Sequence, residues 1–199
     1  MLTLDQIHHW YHRNIDLRNR VIYFGPWQAG EEMLDELKEW EVNDWSISNL
    51  MKGLYLLDNS SKKPITIIWC SYGGDYDAGM AAYDFIKHIR SPVHMKCYGR
   101  VRSMGTIILQ ACKKRLVSPN CLFLIHYGEA GCEKKHSLDF INRAKHDEKC
   151  NRVMEGIYLK RIKEKHKKYT RDKLKDQMRF DRYMTPHEAV YLGLADRVF

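Results

Sequence analysis

The stretch Ile65–Cys70 (ITIIWC) is a nearly unbroken apolar run, too short for a helix of ordinary length and suited to a strand covered on both faces. A glycine-containing loop follows (Ser71-Tyr72-Gly73-Gly74), then a helical pattern from about Ala78 to Ile89 and a second apolar run, Val93–Tyr98. Strand, helix and strand in that order imply a parallel sheet joined by a right-handed crossover. The fold class is therefore α/β. At 199 residues and 44% hydrophobic content the chain fits one domain with a sizeable core, and 12 Gly and 5 Pro exclude collagen-like or low-complexity chains.

The same logic extends both ways. Arg20–Gly25 predicts a first strand, preceded by a polar, His-rich N-terminal arm over 1–19; residues 20–199 read as a single domain. Trp45–Leu57 has helical spacing and ends at the turn Asp58-Asn59-Ser60-Ser61. After a loop at Gly99–Arg102 an apolar helix is expected from Met104 to about Cys112, followed by strands near Arg115–Val117 and Leu122–Ile125. Leu138 to His166 lacks Pro and has one Gly, with apolar residues at three- and four-residue steps. As one helix it would span roughly 43 Å at 1.5 Å per residue, so part of it is expected to protrude from the body toward a partner subunit. Thr185-Pro186-His187-Glu188 is a capping box with Pro at the first helical position, and Arg197–Phe199 suits a last strand.

Composition narrows the function. No apolar run approaches the ~20 residues that cross a bilayer, and Met1–Trp10 lacks the basic start and apolar middle of a signal peptide, which predicts a cytoplasmic protein without membrane association. The six cysteines, Cys70, Cys97, Cys112, Cys121, Cys132 and Cys150, form no C-x-x-C pair, and free thiols are expected. The formal charge is +8, and Lys160–Asp176 alone holds nine Lys or Arg against three acids. Such a run favours a solvated helix face over a nucleic-acid surface.

Open parallel sheets place chemistry at the carboxyl ends of their strands, here the loops after Cys70, Tyr98 and Ile125. Ser103 precedes a helix whose free N–H groups favour a developing oxyanion. His126 is able to take its proton, and Asp181 to hold that imidazole. Each residue also has a plain reading: Ser103 as a helix cap, Gly73-Gly74 as a tight turn, His126 as a buried hydrogen-bonded side chain, Asp181 as a loop residue. The glycine loop matches neither G-x-G-x-x-G nor G-x-x-x-x-G-K-[ST], so the chain carries no nucleotide loop of that kind. Ser103 also lacks the first glycine of G-x-S-x-G.

Four local words in one order carry a resemblance. They are Ser71-Tyr72-Gly73-Gly74 with Ala78-Gly79-Met80 and Tyr83-Asp84; Gly99 to Gly105 ending in Ser103-Met104-Gly105; Leu124-Ile125-His126; and Phe180 to Val190 with Gly193-Leu194-Ala195-Asp196. Over Arg20–Phe199 the sequence resembles the proteolytic subunit of the Clp protease, the ClpP family of serine peptidases. The resemblance implies a crotonase-like β-α superhelix with a long protruding handle helix at about 138–166. It implies Ser103 as nucleophile, His126 as general base, Asp181 as the carboxylate that orients it, and Gly74 and Met104 as backbone donors to the oxyanion. No metal or organic cofactor is implied.

Its implied partners are polypeptide substrates, copies of itself in stacked seven-subunit rings, and an ATP-driven unfoldase. Departures stand beside it. The family usually continues its histidine as His-Gln-Pro, whereas this chain has His126-Tyr127-Gly128. Thr66, Ile68 and His88 are less aromatic than the family's unfoldase-docking positions, and 128–135 replaces a Gly- and Gln-rich strand. A phage-type or stand-alone protease without an unfoldase, an inactive ring component, and an acyl-CoA enzyme of the crotonase type are the competing readings.

Overall fold

The computed structural model describes residues 14–25, 41–128 and 137–199. In chain order these form β1 (Ile15–Asp16), β2 (Val21–Phe24), α1 (Asp44–Ser60), β3 (Ile65–Ser71), α2 (Tyr76–His88), β4 (Val93–Arg102), α3 (Met104–Ala111), β5 (Lys114–Val117), β6 (Leu122–Ile125), α4 (Ser137–Lys165), α5 (Arg171–Met178), β7 (Arg182–Met184), α6 (Pro186–Leu192) and β8 (Arg197–Val198). The sheet runs β1-β2-β3-β4-β5-β8, with β6 on β4 and β7 on β6. All pairings from β2 to β6 and β5–β8 are parallel; β1–β2 and β6–β7 are antiparallel. The expected α/β class and alternating β-α order are present.

β4 organises this sheet. Its first half, His94–Cys97, pairs with β5, and its second half, Arg100–Arg102, pairs with β6. Between them Gly99 has φ +62, a conformation that glycine adopts without a Cβ penalty. Trp69 pairs with Cys97 but Ser71 with Val101, so β4 carries two extra residues across this step. The sequence reading placed a loop at Gly99–Arg102. The strand instead bulges and continues, because glycine re-aims the backbone without ending the ladder.

The covering helices are built from local signals. Asn43 caps α1 in a reciprocal box with Ser46, Asp75 caps α2 through the Ala78 N–H, and Thr185 and Glu188 box α6, which ends on Gly193 at φ +89. All eight residues of α3 are buried, so it lies at the centre of the core rather than on its surface. Arg20 closes the far end of α1. Its guanidinium donates to the carbonyls of Leu57, Ser61, Lys63 and Pro64 and to Ser60 Oγ, satisfying acceptors that a helix end leaves free. Nearby, the Asp58 carboxylate accepts from the Ser91 N–H at 2.8 Å and pairs with Lys62 and Arg90.

α4 spans 29 residues, within one residue of the expected bounds. Its buried side chains, Met154, Glu155, Tyr158, Leu159 and Ile162, all lie in its second half, while Leu138, Phe140 and Ile141 in the first half are exposed. This is the protruding arrangement that its length implied. Three elements were read as unstructured or differently. α5 has only Leu174 and Met178 buried, too few to show a periodic face in the sequence. The sequence pattern assigns no element to the three residues of β7. Ile15 and Asp16, read as the end of an arm, pair with Ile22 and Val21; residues 1–13 lie outside the described residues, as do 129–136 and with them Cys132.

Cys70, Cys97, Cys112, Cys121 and Cys150 are free thiols. Burial pushes the Cys112 and Cys121 thiols up to about 12, which keeps them protonated and unreactive near neutral pH. Among the described residues, no helix is long and apolar enough to cross a membrane.

Candidate active site

Two strand registers bring Ser103, His126 and Asp181 together. β4 and β6 are parallel with Arg102 beside Leu124, so Ser103 and His126 each leave the end of adjacent strands. The Ser103 N–H donates to the Leu124 carbonyl at 2.9 Å, which fixes the first residue beyond β4 against β6. β6 and β7 are antiparallel with Ile125 opposite Arg182, and one further step sets His126 opposite Asp181. The side chains then meet in line: His126 Nε2 is 2.8 Å from Ser103 Oγ, and His126 Nδ1 is 3.0 Å from Asp181 Oδ1. An imidazole protonated on Nδ1 donates to Asp181 and accepts the serine hydroxyl proton on Nε2.

Ser103 is held in an uncommon backbone conformation, φ +49 and ψ −126. Non-glycine residues at positive φ cost energy and persist where surrounding structure over-determines them. Here Thr106 supplies that constraint from the first turn of α3. Its N–H and hydroxyl both donate to the Ser103 carbonyl, at 2.9 and 2.7 Å, and the same hydroxyl meets Tyr158 OH of α4 at 2.6 Å. The buried α3, with Ile107, Ile108 and Leu109 fully buried, gives the serine a rigid base. Ser103 makes no side-chain cap hydrogen bond to α3, so the plain capping reading does not describe it. The Met104 N–H belongs to the first turn, whose amides have no acceptor inside the helix.

The diglycine loop packs directly on this turn. A Cβ added at Gly73 would stand 2.6 Å from Ser103 Cβ, 2.8 Å from the Arg102 carbonyl oxygen and 3.1 Å from the Met104 nitrogen, and Gly73 has φ +101. A side chain at Gly74, φ +146, would run into the Val42 carbonyl. The loop is clamped there: Val42 N–H donates to Gly73 O and Asp75 N–H to Val42 O, both at 2.7 Å. Thr106 and Val42 were not singled out from the sequence. Val42 meets the diglycine loop from a distant segment, and Thr106, three residues from Ser103, is tied down by Tyr158 on a distant helix.

His126 is mostly covered, with a side-chain exposure of 20%, while Asp181 stands 54% exposed. Arg102, next to Ser103, lies over the rings of Tyr72 at 5.2 Å and Tyr183 at 5.8 Å, bringing a cation to the rim. Among the described residues no group of three or more His, Cys, Asp or Glu side chains is placed to hold a metal ion.

Comparison with known proteins gives the family and the fold. The sequence model of the Clp protease family matches residues 37–199. The ATP-dependent Clp protease proteolytic subunit of Deinococcus radiodurans is 33% identical over 185 residues, covering 92% of this chain and 81% of that protein. A ClpP1 variant from Listeria monocytogenes has the same fold, with a TM-score of 0.76 and 22% identity over 92% of both chains. The chain thus belongs to the Clp protease family of serine endopeptidases.

Proposed function

We propose that this chain cleaves peptide bonds by acyl transfer through Ser103. The observation that carries the reading is the unbroken line from Ser103 Oγ through His126 to Asp181, with contacts of 2.8 and 3.0 Å. Ser103 Oγ attacks the scissile carbonyl carbon as His126 Nε2 takes its proton, and Asp181 steadies the resulting imidazolium. The carbonyl oxygen becomes an oxyanion facing the N–H groups of Gly74 and Met104. His126 then returns the proton to the leaving amine, leaving an ester on Ser103. Water, activated by the same imidazole, hydrolyses that ester and restores the hydroxyl. Every proton in this cycle moves through His126, so the chemistry requires no cofactor.

Assembly into stacked rings is the second part of the proposal. It is supported by the exposed apolar residues of the first half of α4, Leu138, Phe140 and Ile141, which the body of the same chain leaves uncovered. The name of the Deinococcus relative as an ATP-dependent proteolytic subunit supports a separate ATP-driven unfoldase as partner, with polypeptides as substrates.

The test combines a fluorophosphonate probe, a fluorogenic peptide and light scattering on the full chain. Wild-type protein should be labelled at Ser103 and assemble as a large ring, and Ser103→Ala should lose hydrolysis and labelling while keeping the assembly. Hydrolysis by purified Ser103→Ala at the wild-type rate overturns the proposal.

A further inference from the structure

Glu155 is a carboxylate buried to 2% exposure in the packed half of α4, and the reaction cycle above gives it no task. A buried charge is costly unless it is well paired, so its partners are informative. One carboxylate oxygen accepts from Tyr127 OH at 2.7 Å, and the other from Arg171 Nη1 at 2.9 Å. Tyr127 is the residue after His126. Arg171 opens α5, the helix that leads to Asp181. One carboxylate thus ties down both chain segments that deliver the two polar partners of the catalytic imidazole.

We infer that Glu155 is a positioning residue for catalysis, holding His126 and Asp181 in line by anchoring Tyr127 and α5 to α4. Three observations carry this, given the peptidase reading above, on which it rests. Residues 126–128 lie beyond the end of β6, and among the described residues no backbone hydrogen bond outside the strand ladder holds them. The hydrogen bond of Tyr127 is therefore the polar tie next to His126. Asp181 stands half exposed between α5 and β7, so its place depends on how α5 is seated as well as on the β6–β7 register. Burial, with Glu155 beside it, pushes the Tyr127 phenol above its usual range, which keeps it a neutral donor to Glu155 through the working pH. Tyr127 also stands where the family's usual histidine word has Gln, so this anchor belongs to the chain's own departure from that word.

The test uses the full-length protein, with kcat and KM on a fluorogenic peptide, the rate of fluorophosphonate labelling at Ser103, and the melting temperature. Tyr127→Phe keeps the ring packing and removes one hydrogen bond. It should lower kcat and labelling rate about tenfold with KM nearly unchanged, since a small misplacement of a catalytic group acts on the transition state. Glu155→Leu should fall at least as far, while Glu155→Gln, whose amide oxygen still accepts from Arg171 and whose NH2 donates to the Tyr127 hydroxyl, should recover most of the activity. Wild-type kcat in Tyr127→Phe overturns the inference, as do losses in all three variants that follow only the fall in melting temperature. A labelled wild type with an unaffected Tyr127→Phe overturns this inference alone, whereas an unlabelled wild type overturns the peptidase reading and this inference with it.

Discussion

His126 and Asp181 face each other across the β6–β7 pair, Nδ1 to Oδ1 at 3.0 Å, one register step beyond Ile125 and Arg182. Main-chain pairing of β6 with β7 thus brings the two residues opposite each other, and side-chain contacts complete their alignment. It makes Asp181→Asn an informative variant, because the amide fits the same space but no longer favours the Nδ1–H tautomer. We expect kcat for peptide hydrolysis to fall by roughly 10³-fold or more, with an unchanged circular dichroism spectrum. Near-normal turnover in this variant would show that the carboxylate is not needed.

Gly73 lies too close to Ser103 for any side chain. In Gly73→Ala the new methyl would press on Ser103 Cβ and the Arg102 carbonyl at a φ of +101. The expected result is loss of fluorophosphonate labelling together with a destabilisation of about 1–3 kcal/mol, read by urea denaturation.

Thr106 links the Ser103 carbonyl to Tyr158 of α4. Thr106→Val keeps the shape and removes the hydroxyl, leaving the buried Tyr158 OH short of a partner. A loss of about 1–3 kcal/mol is expected in chemical denaturation. An unaltered midpoint would mean that the Tyr158 hydroxyl finds another acceptor.

Acid stability should depend on Asp58. Burial acts to raise its pKa, but Ser91 and Lys62 outweigh burial and hold the carboxyl down at about 2, against an ordinary value of 3.8. A depressed folded-state pKa stabilises the fold above the unfolded value and loses that contribution as pH falls through the folded one. Stability should therefore decline between about pH 4 and 2 in the wild type. Asp58→Asn should be less stable at neutral pH by about 1–2 kcal/mol and show a flatter decline over the same window, as measured by melting at stepped pH.

The proposed assembly assigns its contact surface to the outer half of α4. Phe140→Asp combined with Ile141→Asp places charge on the exposed apolar face without touching the buried half. Light scattering should then report a smaller species than wild type, at unchanged helix content. An intact ring would locate the contact elsewhere.

Much of this was legible from local chemistry. The apolar run at Ile65–Cys70, the capping box at Thr185–Glu188 and the three- and four-residue rhythm of α4 each report a property of neighbouring residues, and their elements lie within a residue or two of where the sequence puts them. Ser103 and His126 were legible as residue types in loops after strands, and Asp181 as a carboxylate in a later loop, in an order shared with a known family. Their distances were not, because those depend on the registers of β4, β6 and β7. The passage of β4 beyond Gly99 was hidden for the same reason: a glycine that ends a strand and one that bends it look alike in sequence. α5 was missed because RDKLKDQM has two buried side chains in eight, and a short polar helix is held by its cap and its neighbours. The buried Glu155 was equally invisible, since a lone acid on a long charged helix ordinarily faces solvent.

The fork at β4 has a wider consequence. Because one strand lends the same edge to two neighbours in turn, the Ser103 hydroxyl emerges where the sheet divides, and its location is dictated by peptide geometry. A departure such as tyrosine after the histidine is then absorbed by a side-chain tie of its own, here to Glu155, around an unchanged backbone frame.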